Sequence, residues 1–146
     1  MKNMNSHGFT LIEVLMSILI LAVGVAAAAG MQSSAIRGNT SAKETEIAIQ
    51  LAEEMIDRIR VNGNTTPEKY NGINTVALCG GVEPARGDCN QWKGRLESST
   101  TGLQSAVGTV TVENNTPFAK VATITVTISW GSRSVRLKTL IETWLS

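Results

Sequence analysis

The sequence predicts an α+β fold in which a long N-terminal helix packs on a small antiparallel sheet. Three observations carry that expectation. An apolar run from Phe9 to Met31 contains a single charged residue, Glu13. The polar sequence that follows keeps apolar positions at steps of three and four as far as Ile59, the spacing of one helix face. Near the C-terminus, Val121 to Trp130 alternates apolar with hydroxyl residues, the period of a half-buried strand.

The apolar run is long enough to cross a bilayer, which takes about 20 residues of helix. Its one carboxylate is costly there, roughly 2.5–3.5 kcal/mol at the bilayer centre and less toward an interface, so Glu13 asks for a partner. The run also starts early: only a short leader precedes Phe9, with Lys2, His7 and, at the polar-to-apolar junction, Gly8. No proline occurs before Pro67, so nothing forces the helix to stop at a membrane surface. The stripe Ala42, Thr45, Ala48, Ile49, Ala52, Met55, Ile56 and Ile59 continues it, with Lys43, Glu44, Glu46, Gln50, Glu53 and Asp57 opposite. A helix from Phe9 to Val61 would span about 80 Å, its first half in lipid and its second along a globular head. Gly24 and Gly30 are its weak points, each costing up to about 1 kcal/mol relative to Ala. Asn62-Gly63-Asn64, with Pro67 close behind, supplies a stop.

From Glu68 to Leu103 the chain is rich in Gly, Asn, Ser and Thr, with a short helix expected over Asp88 to Leu96 and Trp92 packed under the loop. Cys79 and Cys89 are the only cysteines. Their spacing is too wide for a CxxC redox motif, and zinc would need further ligands. A disulfide in an oxidising compartment fits best, with two free buried thiols as the alternative; closing this loop is worth roughly 3 kcal/mol in the chain-entropy model. Gly131-Ser132 forms a two-residue hairpin turn with Gly first. Trp130 then pairs with Arg133, Ile128 with Val135, Val126 with Leu137, Ile124 with Thr139 and Ala122 with Ile141, which brings the two apolar faces into register. Ala106 to Glu113 supplies a third strand, joined through Asn114-Asn115-Thr116-Pro117.

Composition narrows the chemistry. Thirteen Lys and Arg oppose twelve Asp and Glu, so bulk attraction to nucleic acid or anionic lipid is not expected. The one histidine is His7. If the leader is removed, Ser-His and Cys-His nucleophilic pairs and His-ligated metal sites go with it, and no cofactor or metal is expected. Glu53, Glu54 and Asp57 could do acid–base work, but beside Arg58 and Arg60 a solvated mixed-charge face is the simpler reading. Arg133, Arg136 and Lys138 form the basic cluster of the head. A charged strand edge that discourages aggregation is the first reading of it, and nucleic-acid contact the second. No catalytic constellation emerges, so an enzyme is not expected.

The octamer Gly8-Phe9-Thr10-Leu11-Ile12-Glu13-Val14-Leu15 resembles the class III leader of type IV prepilins. That resemblance implies cleavage between Gly8 and Phe9 by a membrane peptidase, N-methylation of Phe9, and Glu13 as the fifth residue of the mature chain. A secretory signal peptide would instead be cut after the apolar run, where Ala26 to Ala29 offer a small-residue site. The chain thus divides into a leader (1–8), a transmembrane and assembly half-helix (9–31), an amphipathic half-helix (32–61) and a head (62–146). Leu51-Ala52-Glu53-Glu54-Met55-Ile56-Asp57-Arg58-Ile59-Arg60-Val61-Asn62, Asp88-Cys89-Asn90-Gln91-Trp92-Lys93 and Val126-Thr127-Ile128-Ser129-Trp130 look most like the PilV type of minor pilin. Such proteins join other minor pilins and the major pilin in initiating pilus assembly and at the tip, and so serve twitching motility and adhesion. The resemblance implies processing by a prepilin peptidase and methyltransferase, and residence in the inner membrane, head in the periplasm, before entry into a surface fibre. A pseudopilin of a type II secretion system, or a tip-located adhesin or DNA-uptake receptor, is the alternative. The carboxylate of Glu13 is then expected to pair with the Phe9 amine of a neighbouring subunit.

Overall fold

The computed structural model describes residues 8–62, 66–77 and 79–143. Lys2 and His7 of the expected leader, and Gly63 and Asn64 of the expected helix stop, lie outside them. Helix α1 runs Leu11–Asn62, against the Phe9–Val61 expected. It begins after Thr10 because that side chain, at 3.3 Å, accepts from the amide of Glu13, one of the donors that an unpartnered first turn leaves open. Gly24 and Gly30 do not interrupt it. Two hydroxyls are satisfied within this helix: Ser17 Oγ donates to the Glu13 carbonyl at 2.8 Å and Thr40 Oγ1 to the Ile36 carbonyl at 3.0 Å. A polar side chain on an apolar helix escapes its burial cost in this way.

Two compact units share α1, Met1–Ser41 and Ala42–Ser146. In the first, an apolar window of mean hydropathy 2.5 has none of its residues buried, and it is long and apolar enough to cross a membrane.

The second unit holds the core. It comprises the rest of α1, a 3-10 turn at Pro67–Tyr70, helix α2 (Ala85–Leu96), a second 3-10 turn at Ser99–Thr101, and strands β1 (Val107–Asn114), β2 (Val121–Trp130) and β3 (Arg133–Glu142). The sheet is antiparallel in the order β1-β2-β3. All five pairs expected for the β2–β3 hairpin are present, from Trp130 with Arg133 to Ala122 with Ile141. Gly131 adopts a positive φ of 53°, as the first turn position requires. β1 pairs Val110 with Val126 and Val112 with Ile124, one residue later at each end than the expected strand.

Ala48, Leu51, Ala52, Met55, Ile56 and Ile59 are the buried face of α1. The expected stripe included Ala42 and Ile49 and omitted Leu51; Ala42 is exposed and Ile49 half-buried. The cause is α2, whose Trp92 is fully buried and donates its indole N–H to the Leu51 carbonyl at 2.8 Å. α2 also starts three residues earlier than expected. Pro84 precedes it and the Glu83 carboxylate accepts from the Gly87 amide at 3.1 Å, closing the first turn. On its other side Trp92 meets β1 at Gly108. A Cβ there would stand 2.3 Å from Trp92 Cη2, so only glycine lets the strand come this close.

Candidate functional site

Three places carry the residues singled out by the sequence. The first is the start of α1. Gly8 and Phe9 are exposed and precede the helix, and Glu13 is exposed in its first turn. Thr10-Leu11-Ile12-Glu13 has the spacing of a helix-capping box, a capping role for Thr10 absent from the sequence expectations although the four-residue pattern carries it. A carboxylate in a first turn faces the positive end of the helix dipole, worth about 0.3–1 kcal/mol. That offsets only part of its cost in lipid. Among the described residues the Glu13 carboxylate has no ion-pair partner.

The second place is a polar network between α1, α2 and the turn Pro67–Tyr70. Asp88 is buried and accepts from Tyr70 Oη at 2.6 Å, Asn62 Nδ2 at 2.9 Å and Arg58 Nη1 at 3.1 Å. Arg58 also donates to Gln91 Oε1 at 2.9 Å and pairs with Glu54 at 2.9 Å, which in turn meets Arg95 at 3.1 Å. Burial alone would push the Asp88 carboxyl up; hydrogen bonds from Tyr70, Asn62 and Arg58, with the nearby guanidinium charge, outweigh it and hold the carboxyl below its usual range. Tyr70 is shifted the other way, by burial and by Asp88, so its proton stays on. Every buried side-chain polar atom among the described residues has a partner. An ionised Asp88 beside a protonated Tyr70 and a charged Arg58 suits a clamp between helices. The expected solvated face is thereby corrected. Glu53 and Asp57 are exposed, but Glu54 and Arg58 are only about one-fifth exposed and hold α1 to α2.

Cys79 and Cys89 form a disulfide, Cα to Cα 5.7 Å, joining the loop to α2 one residue past Asp88. Cys89 is buried in the core beside Trp92's helix turn. Bridge and clamp thus hold the same turn of α2.

The third place is β3. Its basic residues do not share a face. Arg133 pairs with Glu44 of α1 and lies over the Trp130 ring at 5.5 Å, while Trp130 Nε1 donates to the same Glu44 carboxylate at 3.2 Å. Arg136 and Lys138 point to the opposite, solvent face. Strand alternation separates residue 133 from 136 and 138, so the expected cluster of three is a structural anchor and a pair. Among the described residues no group of three or more His, Cys, Asp or Glu could hold a metal ion.

Residues 3–29 match the family described as the prokaryotic N-terminal methylation motif. The match takes in the Gly8-Phe9 junction, Glu13 and most of the apolar part of α1. With the α+β architecture it supports a type IV pilin-like protein, a description that fits a pilin or a pseudopilin. It suggests a structural subunit, implies processing by a prepilin peptidase and assembly with other pilins, and fits membrane anchoring before assembly into a surface pilus. No curated protein and no solved structure matches the chain.

Proposed function

We propose that this chain is a minor subunit of a type IV pilus, of the PilV type. It is made as a prepilin, cut between Gly8 and Phe9, methylated on Phe9, and held in the inner membrane by the apolar part of α1 with its head in the periplasm. From there it enters the fibre or its tip, taking part in initiation of assembly and so in twitching and adhesion. The single observation that carries this reading is the methylation motif at the head of an apolar helix whose membrane-length window has no buried residue among those described. An uncovered helix of this kind has two stable environments, lipid or a bundle of similar helices. Glu13 sets the register of the bundle by pairing with the Phe9 amine of the next subunit.

Support for the minor-pilin form comes from where the resembling segments lie. Leu51–Asn62 and Asp88–Lys93 are far apart in sequence and meet in the clamp, through Arg58, Asn62, Asp88, Gln91 and Trp92. The disulfide closes on the same segment.

Glu13→Gln tests the proposal. The variant keeps the shape of the side chain and loses its charge, so it is expected to accumulate in the membrane while its amount in sheared fibres falls at least about tenfold, equivalent to about 1.4 kcal/mol of lost pairing. Immunoblots of the two fractions read the ratio. Wild-type incorporation of Glu13→Gln would remove Glu13 from the assembly mechanism.

A further inference from the structure

The two edges of the sheet are finished differently. Residues 71–75 seal β1: the Gly72 amide donates to the Val110 carbonyl at 3.0 Å, the Val110 amide to the Ile73 carbonyl at 2.9 Å, and the Thr75 amide to the Gly108 carbonyl at 3.0 Å. Val112 and Gly108 amides are taken by the Asn71 and Thr75 side chains, each at 2.9 Å. β3 has no such cover; among the described residues its backbone pairs with β2 alone. A two-residue turn closes on a hydrogen-bonded pair, here Trp130 with Arg133. The outward amides and carbonyls therefore fall at Ser134, Arg136, Lys138, Leu140 and Glu142.

This edge is ten residues long, in unbroken register, with neither Pro nor Gly. Edges of that length are usually blunted by a bulge, a proline or a covering segment. Here the guard consists of two cations. They stand at the ends of rows that cross the sheet, Thr109–Thr127–Arg136 and Thr111–Thr125–Lys138, so a fourth strand would extend each row by one residue. The inner face is also unfinished at this edge. Ile124, Val126 and Ile128 of β2 are fully buried, whereas Val135 and Leu137 of β3 are only partly so.

We propose that the β3 edge accepts, by strand addition, an extended segment of a partner protein in which acidic and apolar residues alternate. The acids lie opposite Arg136 and Lys138 on the solvent face, and the apolar residues cover Val135 and Leu137 on the inner face. The backbone ladder supplies affinity, and the two cations choose the partner. A second copy of β3 would bring its own Arg136 and Lys138 to the seam, which an acidic strand does not.

The test uses the full-length chain in detergent and two synthetic ten-residue peptides, alternating Glu-Val and alternating Lys-Val. The Glu-Val peptide is expected to slow hydrogen exchange across residues 134–142, and the Lys-Val peptide is not. Arg136→Glu combined with Lys138→Glu should weaken Glu-Val binding at least about tenfold and admit the Lys-Val peptide. Lys138→Pro removes an outward amide without touching the β2 ladder. It should weaken Glu-Val binding while β2 exchange stays as in the wild type. The proposal is overturned by unchanged exchange at 134–142 with saturating Glu-Val peptide, or by equal binding of both peptides. Protection that appears with rising protein concentration and no peptide would also overturn it, in favour of a second copy. So would a DNA duplex that binds through Arg136 and Lys138 while those amides still exchange freely.

Discussion

Trp92→Ala is expected to destabilise the head by roughly 3–5 kcal/mol, the cost of deleting a large buried aromatic side chain. Three elements meet at this one ring. It is fully buried, its indole N–H donates to the Leu51 carbonyl on α1, and its far edge fills the space that Gly108 leaves on β1. The substitution therefore opens a cavity, removes a hydrogen bond to α1 and leaves Leu96 alone to meet β1 at Gly108. A stability of about 5–15 kcal/mol is usual for a small domain, so the loss is a large fraction of the margin. Denaturant unfolding of the full-length chain in detergent, followed by far-ultraviolet circular dichroism, measures the loss. A change below about 1 kcal/mol would mean that α2 is not held by this ring.

Asp88→Ala should cost on the order of 3 kcal/mol, because it leaves Tyr70, Asn62 and Arg58 facing a buried space without their shared acceptor. The pH dependence gives a second readout. The Asp88 carboxyl is held below its usual range in the folded state. Between its folded value and an unfolded value near ~3.9 the unfolded chain binds more protons, so stability rises with pH there. This contribution is present above pH ~4 and is lost as pH falls through the folded value. Asp88→Asn, which cannot titrate, should flatten the acid limb of the stability curve relative to wild type. An acid limb of unchanged slope in Asp88→Asn would assign that dependence to other carboxylates.

Much of the fold was legible because it is written in local periods. The uninterrupted helix, the hairpin register and the Gly131 turn each follow from spacing within a few residues, and the structure keeps all three. The Leu51-for-Ile49 exchange in the buried face of α1 was not legible, since two overlapping stripes satisfy the same helical period and the partner Trp92 decides between them. The clamp was hidden for a similar reason. Arg58 and Asp88 are 30 residues apart, and nothing in either segment marks the other as its partner. Glu54 and Arg58 read as a surface pair for as long as α2 has no position. The split of Arg133 from Arg136 and Lys138 was legible: the hairpin register already put residue 133 beside Trp130 on the inner face. Glu44, 86 residues from Trp130, was not. At the N-terminus the motif pointed to processing, while the capping role of Thr10 needed only the four-residue pattern it shares with Glu13.

The most direct test of the central claim is mass spectrometry of the chain recovered from purified, sheared surface fibres. The account predicts a mature N-terminus at N-methylated Phe9, a Cys79–Cys89 disulfide, and an amount far below that of the major subunit. An N-terminus at Met1, a cut after Ala26–Ala29, or a mature chain confined to the cell envelope and absent from fibres would contradict it.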